Sequence, residues 1–406
     1  MIQRLAGVLI LVGLYPSMLL AQAPAGPASQ AGDTSAVRSP VLVASAGPDS
    51  TAKLEAAPSS AQAELPDALR GLKIGTLTYV SYESIRQDDG DGGHVTVSQF
   101  NVTRGYIDIR KDITSYFGFR ATPDLHQDAS GDWKVRMKYL YGAFKWAGHG
   151  VLGKSYAEVG IAHMPWLDFE EHVNRFRMQG TMFLERNGIF NSADVGILVG
   201  GNLGDEMPQD YRDHVNNHYT GRWGSFGVGV YNGGGYHAAS ANSNMVVEGR
   251  LTVRPLSSVV PGLQLSVLGL TGKGNTDESP DWDVLNGMLS FESRYVVATG
   301  QYYSGTGNQA GSAVGPDGVS LDQDGYSAFA EVRLPQREDF SVFSRYDRFD
   351  SNVDDPDADV RKRFIIGGAW QFIKGNYVVL DYDRLDHSEE GIPDEYTVKA
   401  TLQIKY

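Results

Sequence analysis

The 406-residue chain contains no cysteine. That excludes disulfides, thiolate metal sites, a cysteine nucleophile and a lipidated N-terminal cysteine. Basic charge is scarce as well: 35 Lys and Arg stand against 49 Asp and Glu, a formal net charge of −14. Sequence-independent nucleic-acid binding needs cations to neutralise phosphates, so nucleic acid is not an expected partner. The nine histidines show no metal-ligand spacing. Asp355-Pro-Asp357-Ala-Asp359 opens like a calcium loop, but Val360 and Ile366 stand where that loop needs a glycine and a bidentate glutamate. No metal and no cofactor is expected, and no Ser, Asp and His constellation suggests an enzyme. After the first twenty or so residues, no run approaches the ~18 apolar residues of a membrane-crossing helix. Passage through a membrane would have to use strands.

What is present begins with MIQRLAGVLILVGLYPSMLLAQA: one cation at Arg4, an apolar core from Leu5 to Leu20, then small residues at Ala21 and Ala23. This is the layout of a secretory signal peptide over residues 1–21, cleaved near Ala21 or Ala23. Residues 22–66 are rich in Ala, Pro, Ser and Gly and read as a disordered linker, too poor in apolar side chains to order themselves. From Gly71 the texture changes to short alternating runs, with 21 Tyr and 48 Gly in the chain. Alternation of apolar and polar residues marks strands with one dry and one wet face. Sixteen strands are expected, near 72–83, 97–110, 113–124, 133–146, 154–164, 193–201, 219–231, 245–254, 262–271, 284–292, 296–304, 325–333, 339–348, 363–373, 376–385 and 395–406.

Connections after odd-numbered strands are mostly long, as in NGGGYHAASANSN and RFDSNVDDPDADVRKR, and the others mostly short, as at Lys374-Gly375. An even strand count with alternating loop lengths predicts an all-β, up-and-down antiparallel transmembrane barrel over 71–406, with short periplasmic turns and long external loops. The expected location is the bacterial outer membrane, with lipid and lipopolysaccharide as neighbours. One connection breaks the alternation: NLGDEMPQDYRDHVNNHY, 202–219, is long where a short turn belongs.

Strand faces select candidate pore residues. In 133–146, Trp133, Val135, Met137, Tyr139, Tyr141 and Ala143 share one face, and Lys134, Arg136 and Lys138 the other. The terminal strand puts Tyr396 through Tyr406 toward lipid and Lys399, Thr401, Gln403 and Lys405 inward. Inward cations are expected at Arg104, Arg120, Lys134, Arg136, Lys138, Arg250, Arg254, Arg345, Lys399 and Lys405. A ladder of such groups passes anions from site to site. The alternative is that they pair across strands with Glu158, Glu248, Glu331, Asp347, Asp381 and Asp383.

Several motifs resemble the phosphate-selective porin O and P family of sixteen-stranded trimeric channels. They are FNVTRGYIDIRKDITSYFGFRATPDL, EVGIAHMPWLDFEEHVNRFRMQGTMFLERNGIFNSADVGILVGG, FGVGVYNGGGY, VEGRLTVRPL, FSRYDRFD and TLQIKY, in this order along 71–406. The resemblance implies a homotrimer whose long loop, about 165–192, folds inward to narrow the pore. That loop carries Glu170, Glu171, Arg175, Arg177, Glu185 and Arg186 as constriction candidates. For Glu185 and Arg186 a second reading is anchorage of the loop to the wall. The expected function is passive diffusion of small hydrophilic solutes and ions, above all anions such as phosphate or other oxyanions. The alternative is an adhesin or structural barrel that binds a partner through its acidic external loops.

Overall fold

The structure is a computed structural model, described for residues 69–406 apart from 90–92, 129 and 390. The signal-peptide and linker readings, on 1–21 and 22–66, lie outside the described residues. Sixteen strands follow in chain order: β1 Leu72–Asp88, β2 His94–Asp112, β3 Phe117–Gln127, β4 Trp133–Trp146, β5 Leu152–His163, β6 Ala193–Leu203, β7 Gly224–Tyr231 and β8 Val246–Val253. The second half runs β9 Leu263–Lys273, β10 Asp281–Glu292, β11 Val296–Thr306, β12 Asp322–Leu334, β13 Arg337–Asp350, β14 Val360–Ile373, β15 Asn376–Asp386 and β16 Glu395–Lys405. Each pairs antiparallel with its sequence neighbours, and β1 pairs with β16, so the barrel is closed and has no free edge. Closure satisfies every ladder, which lipid contact requires.

The outward faces are apolar along their length: Val195, Ile197 and Val199 on β6, Val247, Leu251 and Val253 on β8, Leu285 and Leu289 on β10. Outward aromatics gather at both ends, with Tyr116, Trp146, Trp223, Trp370 and Phe372 toward the short turns. Tyr82, Phe100, Tyr302, Tyr326 and Tyr382 lie toward the long connections. Two aromatic girdles around an apolar band are the exterior of a bilayer-spanning barrel. Among the described residues no helix is long and apolar enough to cross a membrane.

Two bulges correct the face assignment. In the pairing of β3 with β4, Thr122 meets Tyr139 but Pro123 meets Met137, so Lys138 is the extra residue. Pro123 cannot donate to the ladder, and bulges are where strands accommodate proline. Beyond the bulge the alternation is reset: Lys138, Tyr139 and Tyr141 are buried, and Leu140 is exposed. Tyr139 and Tyr141 therefore leave the lipid face expected for them and point into the barrel. A second bulge leaves Thr103 unpaired between β1 and β2, next to Arg104. Bulges re-aim side chains in this way.

Candidate functional site: a lumen half filled by one loop

The connection between β5 and β6 folds into the barrel. It contains α1 (Pro165–Val173), a 3₁₀ turn over Arg177–Gln179 and α2 (Phe183–Arg186). Pro165 suits the first helical position because its missing N–H is not needed there. Met164 provides no side-chain cap. The barrel wall supplies one instead: Glu248 on β8 accepts the Trp166 backbone N–H at 2.9 Å. Two residues along the same face, Arg250 donates to the Pro165 carbonyl at 3.1 Å.

The loop's apolar residues bury against the inner wall of the later strands. Phe176 stacks on Phe343 at 4.8 Å and meets Tyr377 edge-on at 5.9 Å. Phe183 packs on Phe349, and Phe190 on Trp282. Trp166, Leu167, Phe169, Met182 and Leu184 are fully buried among them. Each such side chain contributes about 2 kcal/mol of burial, so the inside of the barrel has acquired a hydrophobic core. Gly180, at φ +149°, lets the chain pass against the Arg186 guanidinium, which a Cβ would strike.

This core divides the predicted lumen cations into two sets. On the later strands they are buried against the inward loop or the connections beside it rather than lining the cavity. Arg250 is 2% exposed; besides Pro165 it bonds Ser225 and Thr252. Arg254 donates to the Tyr211 hydroxyl and the Pro261 carbonyl. Arg345 donates to the Thr181 carbonyl at 2.8 Å and pairs with Asp347. Lys399 donates to the Gln179 carbonyl at 2.9 Å. Expecting these four to line the lumen was wrong, because inward cations that meet the groups of folded-in connections alternate in sequence like cations that meet water.

On the early strands the cations border a cavity. A cavity of about 670 Å³ lies between β1–β4 and the loop, lined by Arg104, Arg120, Lys138, Arg175, Arg177 and Lys405 among others. A second, of about 900 Å³ toward the short turns, is lined by Arg110, Lys145 and Lys154, and shares Arg110, Asp168 and His218 with the first. Arg120 pairs with Asp108 at 2.6 Å and donates to His163, whose other ring nitrogen meets Glu158 at 2.7 Å. Lys134 and Arg136 sit higher, toward the long connections, paired with Asp128 and Asp124.

The loop's own candidates separate likewise. Glu170 turns away from the path: it accepts from Trp166 Nε1 and Gln301, and burial pushes its carboxyl up. Counting it as a constriction residue was wrong for that reason. Glu171 faces the cavity and pairs with Arg177, which also bonds Glu185 at 2.7 Å. Arg175 reaches the wall at Glu331 and donates to Tyr377 at 3.1 Å. Arg186 lies 3.6 Å from Asp347 on β13. What strand patterning missed are the tyrosines around the cavity's cations: Tyr79, Tyr106 and Tyr139 on the wall, and Tyr236 from the connection 232–245. The abundance of Tyr was the available signal; Tyr236, a loop residue, carried none.

The anomalous connection, 204–223, also turns inward, with α3 (Gln209–His214) inside it. Asn216 donates to the His172 carbonyl at 2.9 Å and to Glu292 at 2.7 Å, the Tyr219 hydroxyl donates to Asp168, and the His218 ring lies 3.7 Å from that of His172. Its length is used to brace α1 from the short-turn side. Burial and the neighbouring His172 push His218 down to about 4. An undocked turn has a histidine near the ordinary 6.5, so on acidification it takes up a proton that the docked turn refuses until about pH 4. Docking is complete above that ordinary value and weakens as pH falls below it. Current noise of the reconstituted protein should rise from pH 7.5 to pH 5, and a His218→Phe variant should stay quiet; equal noise in the unsubstituted protein at both values would contradict this.

No family model and no curated protein sequence matches the chain. Solved structures do. The chain resembles OprB of Pseudomonas putida with a TM-score of 0.54 at 9% identity, over 84% of this chain and 95% of that one. An anion-selective porin from Comamonas acidovorans gives 0.52 at 9%, over 82% and 99%. OmpT of Vibrio cholerae in its trimer form gives 0.50 at 10%, over 82% and 100%. At such identities the likeness concerns the fold, that of the outer-membrane porins.

Proposed function

We propose that the chain forms an outer-membrane diffusion channel for small hydrophilic solutes, with anions favoured. The single observation that carries this reading is the cavity between β1–β4 and the inward loop, walled by Arg104, Lys138 and the cations below them. A narrow, water-accessible passage with excess fixed positive charge concentrates anions and repels cations. The chain as a whole is acidic, so this excess is a local property of the passage. The short turns face the periplasm, the apolar band meets lipid, and carboxylates of the external loops meet lipopolysaccharide through divalent ions. A homotrimer is supported by the trimer form of the Vibrio cholerae neighbour. The ordered motifs support kinship with the phosphate-selective porin O and P family. Purified protein in liposomes should admit pentoses faster than disaccharides in a swelling assay. Failure to admit any sugar would favour the adhesin reading instead.

A further inference from the structure

Two cations beside the cavity between β1–β4 and the loop have no carboxylate. Lys138 is 1% exposed and Arg104 lines the cavity, yet among the described residues neither lies within ion-pair distance of an Asp or Glu. Both approach one aromatic ring: Arg104 lies 4.8 Å and Lys138 5.1 Å from the centre of Tyr106. Arg104 is also 5.2 Å from the centre of Tyr79. Rings against its faces hold the guanidinium and leave its N–H edge for a ligand. Lys138 donates to the Tyr106 hydroxyl oxygen at 3.0 Å. With that oxygen accepting, the phenolic proton is free to point elsewhere. The Arg104 edge and the Tyr106 phenolic proton are thus left without a carboxylate, with the Lys138 ammonium buried behind them.

The balance of fixed charge narrows the ligand. Arg177, on the facing loop, is already shared between Glu171 and Glu185. With Arg104 and Lys138 that makes three cations against two carboxylates, one net positive charge. A monovalent anion brings the site to neutrality; a dianion overshoots it where water is scarce and charge is expensive to leave unbalanced. Two coplanar oxygens suit a guanidinium edge better than a single spherical ion does.

We infer that Arg104 and Tyr106, backed by the buried Lys138, form a binding site for small monovalent carboxylates in transit, one that discriminates against dianions. The inference rests on the anion-channel reading. Its test is single-channel conductance in potassium acetate, potassium chloride and potassium sulfate at pH 6. Acetate conductance should saturate at a lower concentration than either of the others. Tyr106→Phe, which keeps the ring and removes one charge-assisted donor, should raise the acetate half-saturation about tenfold. Arg104→Gln should raise it at least as much. A linear acetate curve, or sulfate saturating first, would overturn the site while leaving an anion-selective channel standing. No conductance in any salt would overturn both.

Discussion

Replacing Arg104 with glutamate and Lys138 with glutamine together should invert the selectivity of the channel. The pair changes the local fixed charge from one net positive to two net negative, counting Arg177, Glu171 and Glu185. In a narrow passage with low-dielectric walls such a change alters local ion concentrations by about tenfold or more. Potassium should then permeate ahead of chloride. Both positions face the cavity on strands whose ladders do not depend on these side chains. The double variant should therefore still migrate as a heat-modifiable folded barrel. A folded variant that stayed anion-selective would remove these residues from the pore.

The second large effect belongs to a residue away from the passage. Arg250→Met should release the inward loop without unfolding the barrel. The substitution keeps most of the volume but loses the bond to the Pro165 carbonyl and the stacking on Phe169 and Tyr219, at 4.6 and 4.7 Å. It also deprives Glu248, which caps α1, of its neighbouring cation. A hydrogen bond from a charged group is worth about 1.5–3 kcal/mol, and a desolvated cation–π contact adds about 2. Together these are worth about 3.5–5 kcal/mol, and their loss lowers the docked-to-undocked ratio of the loop by several hundredfold or more. Larger, noisier conductance steps and protease cleavage within 165–192 should follow. Unchanged steps together with a protected loop would show that the apolar core holds the loop alone.

Much of the fold was legible because a barrel repeats one simple signal. Alternation placed all sixteen strands, most within three residues, and loop lengths set the up-and-down order. The largest displacements are informative. The seventh strand starts at Gly224 rather than near 219, because the preceding residues fold inward to brace α1. The first strand runs on to Asp88, since a strand above the membrane still alternates.

Bulges were not legible, since one extra residue shifts the period with no composition of its own. Lys138 looked like the last inward cation on the face opposite Tyr139, and the bulge brought Tyr139 inward beside it. The division of the lumen was hidden for another reason. Arg104 and Arg250 are alike as sequence, inward cations on amphipathic strands. Only the path of the loop leaves one lining a cavity and makes the other a peg for a helix N-terminus. That path depends on Phe176, Phe183 and Phe190 finding Phe343, Phe349 and Trp282 far along the chain.

The most direct test is the reversal potential of the purified, refolded protein in a planar bilayer under a tenfold potassium chloride gradient. An open passage walled by Arg104, Lys138 and the cations below them gives stepwise conductance and a potential displaced toward the chloride equilibrium value. No steps, or a potential displaced toward that of potassium, would contradict it.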